Sequence, residues 1–477
     1  MEITVENAIA RFPEFRFRKP LFWKMADGES WAVIGPNGAG KTLFSDTFQG
    51  NVALREGSVR HTGSDGKTVC GGVVSLLFRD IYSMAGVRSM YSQQRWNSRD
   101  AEESPYAISL LDGCDEELFS EYADLLGLDS LTGKRVVSLS SGELRKLLII
   151  RALMREPRVI VLDNPFIGLD AASRQSLDEM LAALKDRKGL QTVLVLSQTK
   201  DIPVWTDKIQ PVCGLDLLPP MTREAFMSDS GVLNRLFGSG EEGPSGRLAL
   251  PLPVKAGDYR NVLEMHDVRV RYGGKSILDG VDWTVRKGER WALLGRNGSG
   301  KSTLLSLVCG DNPQAYSNDI ALFDRRRGTG ESIWDIKRRI GYLSPDTHTY
   351  YMEDIPCLKV VASGFHDSVG LFRECTESQY AAARAWLEIF RAEHLADRSF
   401  LRISYGEQRL VLLARAFVKS PELLILDEPL HGLDAGRKIL AGKIIESYCR
   451  NPEVTLIYVS HYEDEIPGCV GLRKIMR

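Results

Sequence analysis

The chain has 477 residues, 43% of them hydrophobic and 26% charged, with a net charge of -2. That length gives room for two or three domains, each with its own core, and the near-neutral balance excludes a global pull toward nucleic acid or anionic lipid. No apolar run approaches the roughly 20 residues that span a bilayer, and the first 17 residues mix Glu, Arg and Pro without a signal-peptide centre, so a cytoplasmic protein that meets a membrane only through a partner is expected.

In chain order, Trp31-Ala32-Val33-Ile34 predicts a strand that runs into Gly35-Pro36-Asn37-Gly38-Ala39-Gly40-Lys41-Thr42, a Gly-rich loop opening a helix. The stretch at about 100–140 is expected to be helical, a lobe of its own. Leu139-Ser140-Ser141-Gly142-Glu143 then precedes a helical run over 144–154. The short apolar run Val159-Ile160-Val161-Leu162 ends in Asp163-Asn164-Pro165, and the run over 192–196 ends in Ser197-Gln198. Continuous apolar runs of this kind suit central parallel strands covered on both faces. This first copy is taken as residues 1–205. Residues 206–259 are taken as a connecting segment, with flexible-linker composition over 237–246.

Residues 260–477 repeat the pattern. Lys41 recurs 260 positions on as Lys301, Gly142 recurs 264 on as Gly406, and Asp163 and Asp170 recur 264 on as Asp427 and Asp434. Gln198 corresponds, 263 on, to His461. Five landmarks within four residues of one register mark a duplication. Trp291-Ala292-Leu293-Leu294 leads into Gly295-Arg296-Asn297-Gly298-Ser299-Gly300-Lys301-Ser302, about 350–400 is again expected to be helical, and Ile403-Ser404-Tyr405-Gly406-Glu407 precedes a helical run over 408–418. Leu423-Leu424-Ile425-Leu426 ends in Asp427-Glu428-Pro429, and the run over 455–459 ends in Ser460-His461. The eight cysteines form no C-x-x-C pair, which argues against a zinc or iron–sulfur site and for reduced thiols.

The Gly-x-x-x-x-Gly-Lys-[Thr/Ser] pattern is a P-loop. Its glycines let backbone N–H groups converge on phosphate oxygens, and the following helix presents its N-terminus to the same anion. Lys41 and Lys301 would reach the terminal phosphates, and Thr42 and Ser302 would ligate Mg²⁺. An aspartate ending an apolar strand beside a P-loop, here Asp163 and Asp427, holds the same ion or its water. Ser and Gly at a helix start build a further anion site. ATP and Mg²⁺ are thus the expected cofactors.

The order P-loop, Ser-x-Gly-Glu, strand-Asp, Gly-Leu-Asp and Ser-His, in both halves, resembles the ABC-type ATPases, whose signature is LSGGQ. The resemblance implies an α/β fold of two P-loop NTPase domains, each a mainly parallel sheet with a helical lobe, packed head to tail. It implies that each ATP lies between one copy's P-loop and the other's signature. Expected ATP contacts are Gly35, Asn37, Gly38, Gly40, Lys41 and Thr42 in copy one, and Gly295, Asn297, Gly298, Gly300, Lys301, Ser302 and Thr303 in copy two. Asp163, Asp427, Ser140, Gly142, Ser404 and Gly406 join them. Phe12 and Tyr272, each 29 residues before the P-loop lysine, are expected to stack on adenine.

On that arrangement one site combines Lys301, Ser302, Asp427, Glu428 and His461 with Ser140 and Gly142. Glu428 would polarise the attacking water, a contribution of about 10²–10⁴-fold, and His461 would contact the γ-phosphate. The other site combines Lys41, Thr42 and Asp163 with Ser404 and Gly406. There Asn164 replaces the glutamate, Gln198 replaces the histidine, and the facing signature carries Tyr405. One hydrolytic and one ATP-holding site are expected. Neither copy shows the usual glutamine after its next strand. Copy one has Val73-Val74-Ser75-Leu76-Leu77-Phe78, with Gln93 or Gln94 as substitutes, and copy two has Ile340-Gly341-Tyr342-Leu343-Ser344-Pro345.

Residues 310–319, 323–328 and 332–337 further resemble the ModF group of tandem ATPases, the molybdate-transport ATP-binding or photorepair proteins. That implies an energising subunit partnered by an integral-membrane permease, with the two copies forming a pseudo-dimer within one monomer. The alternative is a soluble ATP-driven switch acting on ribosome or DNA. The basic runs Arg325-Arg326-Arg327 and Lys337-Arg338-Arg339 are its candidate phosphate contacts, although solvated surface is the expected role for such runs.

Overall fold

The computed structural model describes residues 1–63, 65–69, 71–78, 105–111, 121–122, 133–136, 139, 141–238, 250–251, 257–272 and 275–476. These residues form two compact units. The first holds the described residues up to Gly238 together with Gly432–Gly436, and the second holds the remainder from residue 250 onward.

In the first unit the predicted apolar runs form the centre of a parallel sheet. Its order is Lys208–Cys213, Trp31–Ile34, Gln191–Leu196, Val159–Asp163, Val73–Leu77, with the short strand Met221–Thr222 antiparallel at the edge. Side chains alternate across a strand, so the sheet needs apolar cover on both sides. Ile160 and Leu162 enter one core with Leu194 and Leu196, while Val159 and Val161 enter another with Val193 and Val195. Burial of each such side chain contributes about 1.5–3 kcal/mol. A separate antiparallel sheet, Leu21–Met25, Glu2–Ala10, Leu54–Thr62, packs into the second of these cores.

The first unit continues past residue 205. Lys208–Cys213 is a neighbour of the P-loop strand, and helices Arg223–Ser228 and Ser230–Leu233 follow. Hydropathy hides this strand because it carries a buried glutamine. Gln210 satisfies its amide by donating to the carbonyls of Pro211 and Leu218, at 3.1 and 2.6 Å. Part of the linker-like stretch, 239–246, lies outside the described residues, as do Ser140, Gln93, Gln94 and most of 100–140.

The second unit repeats the sheet order: Ile340–Leu343, Leu423–Asp427, Thr455–Val459, Arg290–Leu294, Leu472–Ile475, all parallel. Its antiparallel sheet is Lys275–Arg286, Asn261–Tyr272, Asp319–Leu322, Arg325–Arg326. The expected helical lobe is present here. Helices Cys357–Ala362, Glu377–Ile389 and Tyr405–Phe417 pack around fully buried Trp386, whose ring lies 5.0 Å from that of Phe417. Among the described residues no helix is long and apolar enough to cross a membrane.

Candidate functional site

In each unit the P-loop, the strand-end aspartate and the Ser-Gln or Ser-His pair meet at the C-terminal edge of adjacent parallel strands. Trp31–Ile34 and Val159–Asp163 flank Gln191–Leu196, and Arg290–Leu294 and Leu423–Asp427 flank Thr455–Val459. That edge is where open α/β sheets bind ligands.

The two P-loops have the same internal geometry. Helices Lys41–Phe48 and Lys301–Val308 start after Gly40 and Gly300, whose φ values of 101° and 88° favour glycine. Lys41 Nζ donates to the carbonyls of Gly35 and Pro36 at 2.8 and 2.9 Å, and Lys301 Nζ to those of Gly295 and Arg296 at 2.7 and 2.9 Å. These bonds satisfy two largely buried ammonium groups and hold each over its own loop, beside the helix N-terminus that attracts an anion. Gly38 and Gly298 share a left-handed φ of 78° and 80°, so Asn37 and Asn297 enter the same turn. Thr303 is buried, and Ser302 is exposed on the first helical turn.

Beside Lys41, Thr42 Oγ1 donates to Asp163 Oδ2 at 3.0 Å. A hydroxyl next to a carboxylate is a hard-oxygen donor pair suited to Mg²⁺, and Ser302 and Asp427 repeat it in sequence. Thr42 and Asp163 would hold such an ion, whose charge would offset that of the phosphates.

The next residue separates the units. Asn164 and Glu428 both have left-handed backbones, at φ 52° and 49°, and both N–H groups donate to the neighbouring strand, at Val195 and Val459. Asparagine tolerates that conformation, whereas glutamate in it is strained. Asn164 Nδ2 donates to Asp163 Oδ1 at 2.6 Å, so its amide occupies one oxygen of that carboxylate. Glu428 instead directs Oε1 to His461 Nε2 at 2.8 Å and Oε2 to His431 Nδ1 at 3.9 Å. Burial would raise the Glu428 pKa, but the His461 hydrogen bond and the charges of His431, His461 and Arg409 outweigh it and hold the carboxyl well below its usual range. The group is therefore an ionised acceptor suited to orienting a water, next to an imidazole that can meet a phosphate.

Sequence reasoning missed what fixes this loop. Arg409, fully buried in helix Tyr405–Phe417, donates to the carbonyls of Asp427 at 2.9 Å, of Pro429 and Ser344 at 3.3 Å, and of Glu428. Its counterpart 264 residues earlier, Arg145, donates to the Pro165 carbonyl. An arginine repeated in register on an otherwise buried helix was the available signal. His431 had none, since its counterpart is Ile167.

In the signature regions, Gly142 lies buried near the start of helix Ser141–Leu153, where a Cβ would come within 3.1 Å of Ser173. Ser404 caps helix Tyr405–Phe417, and its N–H and hydroxyl donate to Glu407 at 2.8 and 2.7 Å. Burial pushes the Glu407 pKa up, but these bonds and the charge of Arg437 bring it below the usual value. Gly406 is buried in the same turn. Where copy two lacks its loop glutamine, Ser344 caps helix Pro345–Tyr350, and His348 in that helix meets Gln408 at 2.8 Å and stacks on Tyr405 at 4.2 Å. The two candidate adenine platforms differ. Phe12 is 49% exposed, while Tyr272 is half-buried and accepts a hydrogen bond from Asn312 Nδ2 at 2.8 Å.

The basic runs are matched by acids. Arg325, Arg326 and Arg327 approach Glu331, Asp319 and Glu331 at 3.8, 3.2 and 3.0 Å. Lys337, Arg338 and Arg339 approach Asp311, Asp335 and Glu422 at 2.7, 4.0 and 2.7 Å.

Comparison with known proteins agrees with this geometry. Residues 19–167 and 278–431 each match the ABC transporter family. The chain is 36% identical over 458 residues to the ABC transporter ATP-binding protein ModF of Escherichia coli, covering 94% of this chain and 91% of that one. It is 30% identical over 475 residues to an uncharacterised ABC transporter ATP-binding protein of Schizosaccharomyces pombe, covering 97% and 95%. Among solved structures, an archaeal ribosome recycling factor, aABCE1, in complex with the ribosomal stalk protein aP1, shares the fold with a TM-score of 0.53 at 16% identity, covering 98% of this chain and 87% of that one.

Proposed function

The chain belongs to the ABC transporter family of ATP-binding proteins, and on that premise we propose that it is the energising subunit of a transport system, with one copy hydrolysing ATP and the other mainly holding it. The observation that carries the division is the contrast at one backbone position. Glu428 is an ionised carboxylate between two imidazoles, whereas Asn164 has its amide turned onto Asp163. Lys301, Ser302, Thr303 and Asp427 bind Mg–ATP for turnover, and Lys41, Thr42 and Asp163 bind it for retention. Tyr272 and Phe12 serve as adenine platforms. Ser140, Gly142, Ser404 and Gly406 serve as the signature contacts that the family pattern assigns to the opposite copy. The transport role is supported by the name of the Escherichia coli relative. The cargo is assigned to the partner chains.

A soluble switch on ribosome or nucleic acid is the competing reading. It is weakened because each cation of the two basic runs has a carboxylate nearby. Glu428→Gln should trap the ATP-bound form. Used as bait in a cell lysate with Mg–ATP, it is expected to retain an integral-membrane permease. Sedimentation with ribosomes, or salt-sensitive retention of nucleic acid, would replace the transport reading with the switch.

A further inference from the structure

We propose that His431 is a positioning residue for the catalytic carboxylate, acting with Tyr405 to fix the plane of Glu428. This rests on the reading of Glu428 as the group that orients water.

The final torsion of a glutamate side chain is broad and nearly two-fold. A contact to one oxygen therefore leaves the other free to swing. Arg409 fixes only the backbone of this residue, through its carbonyl, and His461 holds only Oε1, at 2.8 Å. His431 faces the second oxygen, with Nδ1 3.9 Å from Oε2, and its backbone N–H donates to the Glu428 carbonyl at 3.1 Å. Two imidazoles on opposite oxygens define a plane that one alone does not.

His431 is itself oriented. Its ring stands edge-on to Tyr405, centroids 6.4 Å apart at 83°, and Tyr405 stacks on His348 at 4.2 Å and 25°. His348 is anchored to Gln408 at 2.8 Å. An aromatic signature residue, a departure when the motif is viewed alone, thus forms a wall for the imidazole. The first copy shows the complement. It keeps the same turn, Ile167 N–H to the Asn164 carbonyl at 3.3 Å, but has isoleucine where His431 stands and no carboxylate to orient.

The test is steady-state ATPase kinetics of full-length His431→Ala, His431→Gln and Tyr405→Ala, with melting temperature as a control. A misaligned reacting group can cost up to about 10²-fold. His431→Ala is expected to lower kcat about 10-fold with KM for ATP within about 2-fold. His431→Gln, which can aim an amide N–H at Oε2, should recover most of that loss. Tyr405→Ala, which removes the wall but keeps the imidazole, should fall between wild type and His431→Ala. Unchanged kcat in His431→Ala overturns the proposal, as does an equal loss in His431→Gln and His431→Ala. Glu428→Gln separates the two levels. If it keeps substantial activity, the reading of Glu428 fails; if it is inactive while His431→Ala is normal, only the role of His431 fails.

Discussion

Moving the carboxylate from one copy to the other tests the division of labour directly. Glu428→Gln preserves shape and removes the charge, and should lower kcat by about 10²–10⁴-fold, or roughly 2.7–5.4 kcal/mol of barrier. Adding Asn164→Glu then restores a glutamate to the chain without restoring its surroundings. At that position there is no His461, because the counterpart is Gln198, and no His431, because the counterpart is Ile167. The new carboxylate would replace an amide that donates to Asp163 at 2.6 Å. Two carboxylates roughly 4 Å apart repel by about 4 kcal/mol at an effective dielectric near 20. Protonation at pH 7 from an ordinary pKa near 4.3 caps that cost at roughly 3.7 kcal/mol, and the lost hydrogen bond adds about 1 kcal/mol. The double variant should therefore unfold about 10 °C below wild type and stay under about 1% of its ATPase rate. Phosphate release and thermal unfolding measure both. Recovery of a tenth of wild-type activity, with an unchanged melting temperature, would refute the reasoning.

Lys41→Ala and Lys301→Ala should each reduce bound nucleotide from two equivalents to one by equilibrium dialysis, while only Lys301→Ala abolishes turnover. Arg409→Met should cost about 3–5 kcal/mol in urea unfolding, because the carbonyls of Asp427, Glu428, Pro429 and Ser344 lose a buried donor. Burial lowers the pKa of Lys419 to about 8 against the pull of Asp367. The unfolded chain then holds the extra proton between pH 8 and about 10.4, so stability should rise with pH across that window by about 1–3 kcal/mol. The rise should be absent in Lys419→Met, as followed by denaturant midpoints.

Much of the site was legible because its chemistry is local. A P-loop is a run of eight residues whose backbone turn and helix start are set by its own glycines, and Lys41 and Lys301 each bond to two carbonyls of their own loops. The strands beside them were legible because both faces are buried, which leaves an unbroken apolar run. The strand Lys208–Cys213 escaped detection because Gln210 and Pro211 interrupt that run, and only the fold supplies the carbonyl that satisfies the glutamine. The antiparallel sheets went unassigned although Val268-Arg269-Val270-Arg271 alternates as a half-buried strand should.

The sequence by itself determined that the chain carries two copies of the P-loop pattern and that Asn164 and Gln198 make the first copy differ from the second, since residue identity at a motif position limits what that position can accept or donate. The tertiary structure decided what surrounds those positions. It turned the Asn164 amide onto Asp163, set His431 and His461 against the two oxygens of Glu428, and ran Arg409 through the core to the carbonyls beneath it. These partners lie up to tens of residues apart in the chain, and hydrogen bonds and ion pairs act over a few ångströms, so only folding brings them within reach.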